Sequence, residues 1–449
     1  MSEKLRDKTV LVMGLGKFGG GADAALYASK FAQKVTVTDL SNRDSLPQAD
    51  ALEAKDIQLV LGEHRESDFT ECDVLIVNPA IAEDNRFVRK AEESGALVTS
   101  SIALFFQQCK GKIVGVTGSN GKSTTTSLIY HLLFYASKQN CIEGNVFLSG
   151  NIGNLPLLEI LAQIGENDIA VLEISSFQAE QLDKFGLGPW AAVITNLTPN
   201  HLDRHGTFQN YCNAKKKLFL NQPEDGVSFL NRDDEVSAGW FEELKNTRKT
   251  VLYSSKSLPA EMIEKFNLPG EANKSNLAAA AAAAEELGID RQTLSLALPS
   301  FKALPHRLQL TAEKNGVRWY NDSISTTPES TIAGAEAFSN PVILIAGGYD
   351  KKIPFDKMAR VVSKRIKYAV LIGDTAEKIK ELIESSPKNQ CRVYLAGSLE
   401  NACLKAWEKA EAGDNILLSP ACASYDMFES FKQRGEIFTE LAERITGND

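Results

Sequence analysis

No segment of this sequence approaches the ~20 consecutive apolar residues that a helix needs to cross a bilayer, so no membrane partner is expected. Nor is there an excess of cations. Lys and Arg number 49 against 58 Asp and Glu, a net charge of -9. A broad nucleic-acid surface needs clustered Lys and Arg to displace counterions, and no nucleic-acid partner is expected. The seven cysteines (Cys72, Cys109, Cys141, Cys212, Cys391, Cys403 and Cys422) are odd in number, widely spaced and without a C-x-x-C pair. That is the pattern of reduced thiols in a cytosolic protein, not of a disulfide framework. The opening MSEKLRDKTVLVMGLG has only a short apolar run, ending in glycines with no cleavage-like site after it. A cytoplasmic protein is expected.

What is present points to packed α/β domains. The 449 residues exceed what one core usually organises, and 43% apolar with 24% charged residues is an ordinary globular balance. Strand-like runs at Thr9 to Met13, Val35 to Thr38, Val74 to Val77 and Leu97 to Thr99 alternate with helical stretches, the rhythm of parallel βα units. A second series runs through Lys112 to Thr117, Ile169 to Glu173 and Ala191 to Asn196, and turns helical around Tyr211 to Leu220. Seven successive alanines before Gly288 predict a packed helix over Ser275 to Leu287. Past Pro305, strands recur at Val317 to Tyr320, Val342 to Ala346, Ala369 to Ile372, Arg392 to Leu395 and Asn415 to Leu418. The expected organisation is three domains, 1–109, 110–303 and 304–449. Two are Rossmann-like, N-terminal and C-terminal, and flank a central P-loop-type ATPase domain.

Gly115-Val-Thr-Gly118-Ser119-Asn120-Gly121-Lys122-Ser123-Thr124 follows a short apolar strand and precedes a helical stretch. Glycines let backbone N–H groups turn toward phosphate and the helix N-terminus adds positive potential. Lys122 can then reach the outer phosphates and Ser123 can hold magnesium. The spacing misses G-x-x-x-x-G-K-[ST] by one residue, since position 116 is Val. A second turn, Gly14-Leu-Gly16-Lys17-Phe18-Gly19, has Asp39 twenty residues beyond Gly19, the dinucleotide fingerprint. Beside a triphosphate loop it reads better as the seat of a nucleotide-linked substrate, touching Gly16, Lys17, Phe18 and Asp39. Glu173 ends an apolar strand where a sheet edge would place it near the triphosphate loop, as a magnesium ligand. Asn196-Leu-Thr-Pro-Asn-His201-Leu-Asp-Arg-His205 gathers two of the five histidines behind another strand, and a histidine there is expected at the reaction centre.

In this order the pieces resemble the Mur ligases over nearly the whole chain. The segments that carry the likeness are GVTGSNGKST, GNIG at 150–153, LEISSFQ at 172–178, NLTPNHLDRH at 196–205, YCNAKKKLF at 211–219, LPHR at 304–307, WYNDS at 319–323 and LLSPACASYDMFESFKQRGEIF at 417–438. The resemblance implies a monomer in cytoplasmic peptidoglycan precursor synthesis that uses ATP and Mg2+ to join D-glutamate, or alternatively L-glutamate, to UDP-N-acetylmuramoyl-L-alanine. The substrate carboxylate would become an acyl phosphate, then an amide. By resemblance Lys122 binds the phosphates, Ser123 and Glu173 hold one Mg2+, and His201 and a carbamylated Lys215 flank a second. Asn151 and Ser175 contact the sugar-peptide. Asn273 and Asn276 lie on the adenine side, Arg307 and Asp322 at phosphate and ribose, and Thr326, Lys351, Ser424 and Phe431 receive glutamate, the third domain closing over the others.

Departures keep alternatives open. Ile324 stands where ligases for D-glutamate usually carry lysine, and Ser323-Ile-Ser-Thr-Thr-Pro328 is similar to a ligase for L-glutamate, whereas SPACASYDMF favours the D-isomer. Asn78-Pro-Ala-Ile81 replaces the commoner S-P-G-I. A folylpolyglutamate-type ligase shares the ATP loop but not the Gly14-x-Gly16 domain. A dehydrogenase would show nicotinamide absorbance changes without an ATP requirement, and a nucleotide-binding regulator would bind ATP without releasing phosphate.

Overall fold

A computed structural model of the chain describes residues 2–16, 19–82, 84–152 and 156–447. Lys17 and Phe18, expected at the first nucleotide site, lie outside the described residues. Two compact units are distinguished, Met1–Pro259 with Ser275–Ala297, and Ala260–Lys274 with Leu298–Asp449. The first carries two parallel sheets and the second a mixed one.

The first sheet contains β1 (Thr9–Met13), β2 (Lys34–Asp39), β3 (Gln58–Leu61), β4 (Val74–Val77) and β5 (Leu97–Thr99) in the order β3-β2-β1-β4-β5, all parallel. Its central strands β1 and β4 are almost wholly apolar because both faces are covered. Val10 and Val12 enter the core that continues into the second sheet's layer, while Leu11 and Met13 pack with Phe69, Leu75 and Val77 on the other side. Strand order reverses between β1 and β4, which opens a crevice at their carboxyl ends.

The second sheet contains β6 (Lys112–Thr117), β7 (Val146–Gly150), β8 (Ile169–Glu173), β9 (Ala191–Ile194), β10 (Val227–Asn231) and β11 (Lys249–Tyr253), in the order β11-β10-β9-β6-β8-β7 and all parallel. Since β8 and β9 lie on opposite sides of β6, the loop after β6 sits at a switch point. The alanine-rich helix runs Glu271–Glu286, starting a turn earlier than the alanine run predicts.

The third sheet contains β12 (Gln309–Lys314), β13 (Val317–Asn321), β14 (Val342–Ala346), β15 (Ile366–Leu371), β16 (Arg392–Leu395) and β17 (Asn415–Leu418), in the order β12-β13-β17-β14-β15-β16. Its edge strand β12 is antiparallel to β13, a feature absent from the expected Rossmann-like series. The two-residue connection Asn315-Gly316 has φ of 54° and 76°, the geometry and composition of a hairpin turn. That dipeptide was the available signal. The strands β3, β7, β10 and β11 also lay outside the expected runs. They are short, and β10 buries a serine and an asparagine in a core strand.

Candidate active site

β6 ends at Thr117 and the chain turns through Gly118–Gly121 into the helix Lys122–Lys138. Two glycines are required there. Gly121 has φ 79°, and a Cβ on it would lie 2.3 Å from Asn276 Oδ1; Gly118 has φ 141°, and a Cβ would lie 1.9 Å from Thr195 Oγ1. The segment after β9 braces the turn from outside. Ser119 N–H donates to the Asn196 carbonyl (2.8 Å), Asn120 N–H to Asn196 Oδ1 (3.1 Å), Thr195 Oγ1 to the Asn120 carbonyl (2.6 Å) and Thr198 N–H to Ser119 Oγ (2.9 Å). A turn held in this way needs little rearrangement to receive phosphate. Lys122 Nζ bends back onto the carbonyls of Gly118 (3.0 Å) and Ser119 (2.9 Å). Ser123 and Thr124 follow on the first turn, buried.

Gly121→Ala should therefore raise the KM for ATP by about tenfold or more, since the added methyl displaces Asn276 and costs about 1 kcal/mol in left-handed backbone strain. ATP titration of phosphate release checks this; an unchanged KM would remove the turn from the nucleotide site.

Glu173, at the end of β8, is buried, and register places it opposite Val116 of β6 and Gly150 of β7. Its Oε1 accepts from Asn151 Nδ2 at 3.3 Å, while Oε2 is buried without a hydrogen-bond partner. A carboxylate oxygen left dry and unpaired is costly, and a cation at this sheet edge would satisfy it. Among the described residues no three His, Cys, Asp or Glu side chains converge on one point. A cation here would draw its other ligands from a hydroxyl, phosphate oxygens and water, which suits Mg2+. Ser175, expected to touch substrate, caps the helix Ser176–Asp183, its Oγ accepting from Gln178 N–H at 3.2 Å.

His201 has φ 50° and ψ 38°, left-handed backbone that a non-glycine residue holds only when its surroundings impose it. Its ring meets Phe177 edge-on at 5.2 Å and Tyr211 at 6.3 Å. Desolvation, then the charges of Lys215 and Lys122, lower its pKa, with Asp203 opposing. Lys215 is 1% exposed. Its Nζ lies 3.4 Å from Thr117 Oγ1 and 4.7 Å from the Tyr211 ring centroid. Burial first, and Lys122 second, push its pKa well below the usual lysine range against the pull of Glu173.

Tyr211, which sequence reasoning passed over, joins these parts. Its hydroxyl hydrogen-bonds Ser119 Oγ at 3.0 Å while its ring touches His201, His205 and Lys215. Asn276 Oδ1 accepts from Thr125 Oγ1 at 3.2 Å, within the same constellation.

At the first crevice, Asp39 Oδ2 accepts from the N–H groups of Leu15 (2.8 Å) and Gly16 (3.4 Å), and Oδ1 from Ser41 N–H (2.8 Å). Burial alone would raise its pKa, but these donors outweigh it and the pKa is lowered. Asp39 thus holds the glycine turn in shape. Asn78, one of the two residues that depart from the commoner motif, donates from Nδ2 to the Gly14 carbonyl at 3.3 Å. Arg204 donates to the carbonyls of Ala80 (2.9 Å) and Ile81 (3.0 Å), tying the His201 segment to the loop after β4.

In the second unit, Asn273 Nδ2 donates to the Pro269 carbonyl at 2.7 Å. Asp322, 5% exposed, accepts from Leu308 N–H (3.2 Å), Ser325 Oγ (2.6 Å) and Ser419 Oγ (2.9 Å). Burial pushes its pKa up to about 6 against those hydrogen bonds and the Arg307 charge. Ser424 is buried, Thr326 and Phe431 are half-buried, and Lys351 is exposed. Ser323 Oγ donates to the Phe431 carbonyl at 2.8 Å, Tyr349 N–H to the Ala423 carbonyl at 3.0 Å and Ala421 N–H to the Ser325 carbonyl at 2.9 Å, so the four segments carrying Thr326, Lys351, Ser424 and Phe431 are neighbours.

A raised carboxylate pKa stabilises the fold at low pH and loses that contribution as pH rises through the folded value. Asp322→Asn should remove this dependence. Its stability relative to the parent should shift in the variant's favour by about 2 kcal/mol between pH 4 and pH 7. Paired melting curves across that range check it, and parallel curves would refute it.

Family models match three consecutive stretches: a Mur ligase MurD-like N-terminal domain at 8–100, a Mur ligase middle domain at 116–266 and a Mur ligase glutamate ligase domain at 306–422. The UDP-N-acetylmuramoylalanine--D-glutamate ligase of Caldanaerobacter subterraneus subsp. tengcongensis is 36% identical over 97% of this chain and 98% of its own. The protein of that name from Roseiflexus sp. is 36% identical over 99% and 100%. Among solved structures, the MurF ligase of Thermotoga maritima in complex with ADP superposes with a TM-score of 0.60 at 18% identity, covering 100% of both chains. The UDP-N-acetylmuramate-alanine ligase of the same organism gives 0.59 at 18%, covering 98% of this chain and 100% of its own. These two likenesses concern the fold.

Proposed function

This chain belongs to the Mur ligase family, and on that premise we propose that it joins D-glutamate to UDP-N-acetylmuramoyl-L-alanine at the expense of ATP. The observation that carries the reading is Glu173 Oε2, a buried carboxylate oxygen with no hydrogen-bond partner at the same sheet edge as the phosphate turn. Relatives named for D-glutamate over nearly the whole length support that isomer over the L-form that Ile324 and the following Ser-Thr-Thr-Pro left open.

The terminal carboxylate of the L-alanine attacks the γ-phosphorus of ATP, giving an acyl phosphate and ADP. Lys122 turns from the loop carbonyls to the transferring group, where its charge matters most as the phosphoryl passes between oxygens. The glutamate amine then attacks the acyl carbon, and the tetrahedral species expels phosphate. His201, whose pKa is lowered chiefly by desolvation, offers a neutral imidazole nitrogen beside this centre, the form that can ligate a metal. Ser123 and Glu173 would hold one Mg2+, and His201 and Lys215 a second, both neutralising phosphate charge.

Lys215 serves that role as a carbamate. Its buried amine, whose charged form desolvation disfavours, adds to carbon dioxide and releases a proton, converting an amine into a hard oxygen ligand. Asn151, Ser175, Gly16 and Asp39 belong to the sugar-nucleotide side. Asn276, Asn273, Arg307 and Asp322 belong to ATP, and Thr326, Lys351, Ser424 and Phe431 to glutamate. The proposed domains remain 1–109, 110–303 and 304–449.

The test is ATP-dependent phosphate release with UDP-N-acetylmuramoyl-L-alanine and each glutamate isomer separately. Stimulation by D-glutamate is expected; stimulation by the L-isomer alone, or by neither, overturns the reading.

A further inference from the structure

Arg434, on the first turn of the helix Phe431–Thr446, is 1% exposed. Its guanidinium donates from Nε to Ser323 Oγ (3.0 Å), from Nη2 to the Ser323 carbonyl (2.9 Å) and from Nη1 to the carbonyls of Cys422 (3.2 Å) and Ala423 (3.3 Å). Every one of these acceptors is neutral. Among the described residues no carboxylate forms an ion pair with it. Asp426, the carboxylate whose charge is felt at Arg434, gives its Oδ2 to Asp374 N–H at 3.1 Å. Satisfying the donors does not satisfy the charge, and a buried cation without a counter-ion carries a large desolvation cost.

The position of that charge is specific. Ser323 lies three residues before Thr326, Cys422 and Ala423 immediately precede Ser424, and Arg434 lies three residues after Phe431. Gly348, three residues before Lys351, passes so close that a Cβ on it would be 3.4 Å from Arg434 Nη1 and 2.5 Å from the Ala423 carbonyl oxygen. Arg434 is therefore the node at which all four segments assigned to the incoming amino acid meet. In a trans peptide the N–H points opposite to the C=O, so a cation drawing on the Ala423 carbonyl also polarises the N–H of Ser424 outward, while the Ile324 N–H, on the Ser323 peptide, donates to the His306 carbonyl at 3.3 Å. Of the four assigned residues only Lys351 is cationic, and it is exposed. An amino acid with two carboxylates calls for a second, fixed positive field.

We propose that Arg434 is a positioning residue that selects a dicarboxylic amino acid, acting through the Ser323, Cys422 and Ala423 carbonyls. The proposal rests on the reading of this chain as a glutamate ligase. Substitution by Gln removes the charge and by Lys retains it. Arg434→Gln should raise the KM for glutamate by about tenfold or more and leave the KM for ATP within about twofold. It should also erode the preference for glutamate over glutamine, while Arg434→Lys restores the glutamate KM to within about threefold of the parent. Equal impairment by Gln and Lys, or KM values for ATP and glutamate that rise together, would mean a structural role and overturn the proposal. Should Arg434→Gln fail to fold, the glutamate-to-glutamine preference of Arg434→Lys decides, retention supporting the charge and loss refuting it. A parent enzyme without glutamate-dependent phosphate release would instead defeat the underlying reading, whereas normal parent turnover with an unaffected Arg434→Gln would defeat this proposal alone.

Discussion

Lys215→Ala should lower the rate of glutamate-dependent phosphate release by about a hundredfold to a thousandfold, the range expected when a preorganised charge-stabilising group is lost from an acyl- or phosphoryl-transfer site. Lys215 is 1% exposed, and desolvation, ahead of the Lys122 charge, lowers the pKa of its amine well below the usual lysine range. Burial that disfavours the charged form favours the free amine, the form that adds to carbon dioxide. Two consequences separate carbamylation from simple packing. Formate or acetate, small enough to enter the space vacated by the lysine side chain, should restore part of the Lys215→Ala activity. The parent enzyme should lose activity in carbon dioxide-free buffer, more steeply as pH falls, because protonation of the amine removes the form that reacts. Full turnover by Lys215→Ala in the absence of added carboxylate would end this account.

Lys122→Met should cost about a thousandfold in kcat and change ATP affinity by less than about tenfold. The asymmetry follows from where the charge acts. Lys122 Nζ rests on the carbonyls of Gly118 and Ser119, so binding ATP exchanges contacts already made for a phosphate contact and gains modestly. During transfer, charge on the phosphoryl oxygens shifts, and an interaction stronger in that state lowers the barrier. Phosphate-release kinetics combined with equilibrium ATP titration distinguish the two terms. A variant that loses affinity by the same factor as kcat would assign Lys122 to uniform binding.

The two sites differ in how far they could be read from the chain. The turn at 115–124, Glu173 at a strand end and the Gly14-x-Gly16 loop each declare themselves within ten residues, because strand, turn and helix are local in sequence and their chemistry follows from backbone geometry. The strands that carry them were legible as continuous apolar runs, since parallel strands covered on both faces bury every side chain. The antiparallel edge of the third sheet had its Asn315-Gly316 signal, but β10, with Ser228 and Asn231 in its core, did not look like a strand.

Lys215 is the clearest case of the opposite kind. In Ala214-Lys-Lys-Lys-Leu218 three lysines in a row read as a solvated face, and nothing local distinguishes the first from the others. Helical periodicity turns Lys215 inward, to 1% exposure against Thr117 and Tyr211, while Lys216 and Lys217 reach Glu243 and Asp183 at the surface. Tyr211 and Arg434 are similar, their partners lying 92 and 111 residues away at Ser119 and Ser323. The order of residues alone determined the α/β class, the phosphate turn and the family, since each depends on contacts within one strand, turn and helix. Only the tertiary structure decided which cations lose their water and which groups they face, because desolvation and Coulomb energy depend on distance in space and on burial, neither of which is a local property of the chain.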